Sequence, residues 1–139
     1  MDKALNYLSL ARKGGMAELG EEPVGAITRA GKGYLVLVAS DASDHTWRRA
    51  KSFVAGTEQQ CIRVKFTKDE LGFVIGRTSL AIAAITDVQL ALAMVNALGE
   101  LEKYKAAIEV LTQKSQKAKK RQAEAKAHKR NVRMGKVKK

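Results

Sequence analysis

"YLVLVA", residues 34–39, is six apolar residues in a row with no polar alternation. A strand that faces water on one side alternates, whereas a strand covered on both faces does not. This run therefore predicts a central strand with helices above and below it. Each Leu or Val fully buried there contributes roughly 1.5–3 kcal/mol. "LAIAAI", residues 80–85, repeats the pattern. "CIRVKF", residues 61–66, alternates and belongs nearer a sheet edge, and Met16 to Leu19 has room for one more brief strand.

The segments between these runs read as helices. Leu5, Leu8 and Ala11 or Arg12 have helical spacing, and Gly14-Gly15 ends the segment. "GEEPVGAITRAG", residues 20–31, places Pro23 in a first helical turn, where its missing N–H costs nothing, and Gly31 stops it. Ser43 suits the N-cap of a helix through Trp47, Ala50, Phe53 and Val54. "TKDE", residues 67–70, is a capping box, and a short helix with Leu71 and Val74 follows. Asp87 caps a helix to Leu98 that is apolar nearly all round. Strands alternating with helices predict an α/β domain with helices on both faces of a small sheet.

Gly99 marks a break in composition and divides the chain into a body of 1–99 and an extension of 100–139. Residues 112–139 hold twelve Lys/Arg and one acid, a net of +11, against fourteen and thirteen in residues 1–111, a net of +1. Leu101, Tyr104, Ile108 and Leu111 form a helical stripe that could dock on the body or on a partner helix. Beyond it the chain is rich in Ala, Lys, Gln, Arg and Glu, which predicts a helix projecting into solvent. So basic a segment points to an anionic partner, and to nucleic acid before a membrane surface. Lys114, Lys117, Lys119, Lys120, Arg121, Lys126, Lys129 and Arg130 are its candidate phosphate ligands.

Several function classes lose support here. No apolar run is long enough to span a membrane, and the N-terminus lacks the pattern of a secretory signal, so a cytoplasmic protein is expected. One cysteine, Cys61, forms no internal disulfide, and two distant histidines make no zinc site. "SDASDHTWRR", residues 40–49, holds Ser, His and Asp, but residues this close in sequence suit turns and caps, since a triad is assembled in space. "GKG", residues 31–33, lacks the remainder of a phosphate-binding loop. No catalytic constellation, metal or cofactor is expected.

Glu21 and Glu22 stand out in so basic a chain. Carboxylates in a first helical turn complement the macrodipole, for roughly 0.3–1 kcal/mol each. Alternatively, a glycine admits close backbone approach, a helix N-terminus offers N–H groups to phosphate, and a carboxylate accepts from a guanine edge outside a standard pair.

The order of "LSLARKGG" (8–15), "GEEPVGAI" (20–27), "LVLVASDAS" (35–43), "ELGFVIGR" (70–77) and "AIAAITD" (81–87) resembles the ribosomal protein L-seven-Ae family of kink-turn RNA binders, and within it the bacterial YlxQ-like members. The resemblance implies a three-layer α/β/α sandwich with a mixed four-stranded sheet, to which the basic extension is an addition. It implies an RNA site made from Gly20, Glu21 and Glu22 together with the loop Ile75, Gly76, Arg77, Thr78 and Ser79. Lys13 and Lys32 are expected as neighbours on the phosphates. Strong binders in the family carry Asn-Glu where this chain has Glu-Glu, and a lysine one turn on, where it has Gly25 or Ala26. The expected function is a monomeric, non-enzymatic protein binding ribosomal or other structured RNA. Its rivals are an adaptor that docks a partner helix on the Leu101–Leu111 stripe, and an accessory domain of an RNA-modifying enzyme.

Overall fold

The computed structural model describes the backbone of residues 2–133 and the side chains of residues 2–127. In chain order the elements are α1 (Lys3–Lys13), β1 (Ala17–Leu19), α2 (Glu21–Arg29), β2 (Leu35–Val38), α3 (Asp44–Val54), β3 (Gln60–Arg63), α4 (Lys68–Val74), β4 (Ile82–Ile85), α5 (Val88–Ala97) and α6 (Lys105–Arg133). The sheet order is β1-β4-β2-β3. β4 runs antiparallel to both neighbours and β2 pairs β3 in parallel, so the sheet is mixed.

The two polar-free runs are the two central strands. All four residues of β2 and all four of β4 are buried. α2 and α3 cover one face, while α1 and α5 cover the other, with α4 packed on α1 and α6 on α5. β3 is an edge strand and shorter than its alternation predicts. Val64 donates to Val38 O and Ser40 to Phe66 O, while Val64 and Phe66 turn into the core outside the ladder. β4 starts two residues later than expected, and Leu80 donates to Lys68 O at 3.0 Å, at the start of α4. The capping box at Thr67 is closed in both directions, Glu70 N to Thr67 Oγ1 at 3.2 Å and Thr67 N to Glu70 Oε1 at 2.9 Å.

α6 settles what the apolar stripe does. Tyr104, Ala107, Leu111 and Ser115 are buried, and the helix lies along α5. The Tyr104 hydroxyl donates to Arg63 O at 2.8 Å, and burial raises its pKa. Gln89 and Ser115 exchange two hydrogen bonds across the helix pair, at 3.1 and 2.6 Å. α5 is apolar nearly all round because α1 and α6 flank it and the sheet lies beneath it. The expected stripe needs one correction: Leu101 is 58% exposed in the turn before α6, and Ala107 takes its place in the buried set. The helix face that the adaptor reading requires is thus occupied by the body itself. From Lys119 to Ala127 every residue is exposed, since nothing apolar and large remains to pack.

Candidate nucleic-acid interface

β1 ends beside the start of β4. Gly20 donates its N–H to Ile82 O at 3.0 Å, so the first turn of α2 adjoins the loop that feeds β4. At Gly20 φ is +98°, a conformation that strains any side chain. Gly20 also leaves α2 without a side-chain cap, whereas Asp2, Ser43, Thr67 and Asp87 cap α1, α3, α4 and α5. The first N–H groups of α2 have no intrahelical acceptor. They lie at one end of the sheet together with exposed Gly76, Arg77, Thr78 and Ser79.

That loop is held by its backbone. Arg77 donates to Gly72 O at 2.9 Å and Gly76 to Phe73 O at 3.3 Å. A Cβ on Gly72 would lie 2.7 Å from Ser79 N and 2.9 Å from Arg77 O. Only a glycine lets α4 and the loop approach this closely. Ile75 does not join the exposed set: it is 2% exposed, and its side chain anchors the loop from below instead of facing a ligand.

The two adjacent glutamates are not equivalent. Glu21 forms an ion pair with Arg49 of α3, whose guanidinium lies 5.2 Å from the Phe53 ring centroid. Phe53 in turn packs on Gly25, where a Cβ would meet its ring at 3.2 Å. Glu21 is therefore a brace between α2 and α3 as well as a surface group. Glu22 is exposed and has no ionic partner among the described residues. Arg49 carries no local signal of this role, because its partner lies 28 positions away on another helix.

Lys13 and Lys32 are placed elsewhere. α1 leads into β1 beside Ile85, and Lys32 precedes β2, whose Leu35 also faces Ile85. Gly20 sits at Ile82, three residues away along β4, or about 10 Å. The two lysines thus mark the opposite end of the sheet from the loops. Lys114 is not free in solvent either, since its Nζ bonds Glu58 Oε1 at 2.8 Å and holds that carboxyl below its ordinary pKa. Lys117, Lys119, Lys120, Arg121 and Lys126 are exposed on α6, and the side chains of Lys129 and Arg130 lie outside the described residues.

Cys61 is part of the packing. Burial pushes its thiol up to about 12 from 9.0, with Lys51 opposing weakly. The raised pKa leaves little thiolate at neutral pH, and the thiolate is the reactive form. Alkylation of Cys61 by iodoacetamide is expected to be much slower in the native chain than in urea. Equal rates would show the site to be open. Among the described residues no cluster of three His, Cys, Asp or Glu side chains is placed to hold a metal, and no helix is long and apolar enough to cross a membrane.

The sequence matches no protein-family model and no curated protein. Solved structures do resemble it. A protein of unknown function from Bacillus halodurans C superposes with a TM-score of 0.67 at 24% identity, covering 72% of this chain and 100% of that one. A 15.5 kD RNA-binding protein from Giardia lamblia superposes with a TM-score of 0.57 at 18% identity, covering 70% of this chain and 83% of that one. At such identities the likeness is one of fold: this chain is an α/β protein with a mixed four-stranded sheet between helices, an architecture it shares with both.

Proposed function

We propose that this protein is a non-enzymatic RNA-binding protein of the L-seven-Ae type, with a bacterial YlxQ-like body, and that its partner is ribosomal or other structured RNA containing a kink-turn-like bend. The observation that carries the reading is the juxtaposition at Gly20 and Ile82, which sets an uncapped helix N-terminus with Glu22 beside the exposed loop of Gly76 to Ser79. Backbone N–H groups there suit phosphate oxygens, and Glu22 suits the N–H edge of a guanine in a sheared pair. Arg77 supplies a cation on the second loop. The sharing of this fold with an RNA-binding protein supports the same reading. The exposed cations of α6 add affinity that is independent of sequence.

The departures from strong family binders define the test. A carboxylate only accepts, where an Asn also donates. Glu22→Ala removes both an acceptor and a negative charge. If Glu22 accepts from a guanine, affinity for a kink-turn RNA falls by about one to two decades while affinity for generic RNA holds or rises. If it only complements the helix dipole, all RNAs bind equally well or better. Arg77→Ala is the matching probe on the second loop. The measurement is the ratio of dissociation constants for a kink-turn RNA and its mutated form at fixed salt. A ratio that moves in neither variant places recognition on another surface.

A further inference from the structure

The end of the sheet remote from the recognition loops carries a groove of its own. Two adjoining clefts share Tyr34 and Lys114. One is walled by Arg29 and Gly31, the other by Lys117 and Arg121 of α6. Lys114, Lys117 and Arg121 fall on one helix face, and the Lys114–Glu58 bond pins that face against the body. The acids here are already engaged: Glu58 by Lys114, and Asp87 by the N–H of Leu90. Arg29, Lys32, Lys117 and Arg121 form no ion pair among the described residues, and Lys117 acts on Glu58 only at longer range, behind Lys114. Tyr34 is half-buried between them, and its hydroxyl has no hydrogen-bond partner among the described residues.

We infer that this groove is a second RNA site, which takes a single-stranded segment with a base on the Tyr34 ring and phosphates on Arg29, Lys117 and Arg121, so that one protein molecule holds two RNA segments at opposite ends of its sheet. An aromatic ring beside a cationic groove is the pattern of single-strand binders. A duplex presents no unstacked base to Tyr34 and is disfavoured. α6 is therefore the wall of a shaped site as far as Arg121 and an open polycation only beyond it. The two-segment statement rests on the proposed role of the loops; the groove itself does not.

The test uses the full chain, a labelled oligouridine of about twelve nucleotides, and a minimal kink-turn RNA with no overhang. The variant Arg29→Ser/Lys117→Ser/Arg121→Ser is expected to weaken oligouridine at least tenfold and to reduce its salt slope by about two. Its kink-turn affinity should stay within about twofold of the parent, since the loops are untouched. Tyr34→Leu keeps the apolar contacts and should cost about tenfold for oligouridine, with Tyr34→Phe restoring it. Saturating kink-turn RNA should leave labelled oligouridine bound. Displacement of one RNA by the other, or parallel loss of both in the triple variant, would overturn the inference. So would unaltered oligouridine binding in a triple variant that no longer binds phosphatidylserine-containing vesicles, which would assign the groove to a membrane surface. If the loops prove unselective, the triple variant and Tyr34→Leu still decide the groove through oligouridine alone.

Discussion

A chain ending at Gly99 is expected to lose about 5 kcal/mol of folding free energy, and a chain ending at Ala118 almost none. Leu111 is 0% exposed and Tyr104 is 4% exposed, and burial of each contributes roughly 1.5–3 kcal/mol. The shorter chain also uncovers the α6-facing side of α5 and leaves Arg63 O without its Tyr104 donor. A domain of this size has about 5–15 kcal/mol in total, so the shorter chain should be marginal or unfolded. Residues after Ala118 bury nothing among those described, so their removal leaves the core intact. Urea titration of the three chains measures this directly. Equal midpoints for the Gly99 and full-length chains would show that α6 docks without stabilising the body.

The Ala118 truncation has its large effect on RNA. It removes ten Lys/Arg and one acid, Glu124. Each neutralised phosphate contributes about −0.7 to the log–log salt slope for single strands and about −0.9 for duplex DNA. If half of these ten cations meet phosphate, the slope should flatten by about 3.5–4.5, and affinity for generic RNA at low salt should fall by about three decades. The ratio between kink-turn and mutated kink-turn RNA should survive, because both loops remain. Titrations of the two chains at several salt concentrations separate the outcomes. Equal slopes would show that the extension only solubilises the chain.

Much of the architecture is legible in residue patterns. β2 and β4 could be found because strands covered on both faces lose polar alternation, and their residues are buried throughout. The capping residues Ser43, Thr67 and Asp87 could be found because a cap acts within three residues of itself. Strand ends were harder. Whether Leu80 joins β4 or closes α4 depends on Lys68 O, twelve positions away. The stripe on α6 was visible as a stripe, but no local pattern could tell a partner helix from α5.

The candidate site divides in the same way. Gly20 and the adjacent glutamates stood out in the sequence, since glycine and charge at helix ends are local signals, whereas the loop from Gly76 to Ser79 entered the candidate site only through the family resemblance. The sequence by itself determined an α/β body, its two central strands, its helix starts and a basic extension, because periodicity, capping and charge act over a few residues. Only the tertiary structure decided that Glu21 pairs with Arg49, that Ile75 points inward, and that Lys13 and Lys32 lie at the far end of the sheet. It also placed Tyr34 beside Arg29 and the Lys114–Arg121 stretch of α6. Those facts follow from strand order and register, which are set by which surfaces bury one another across long stretches of chain.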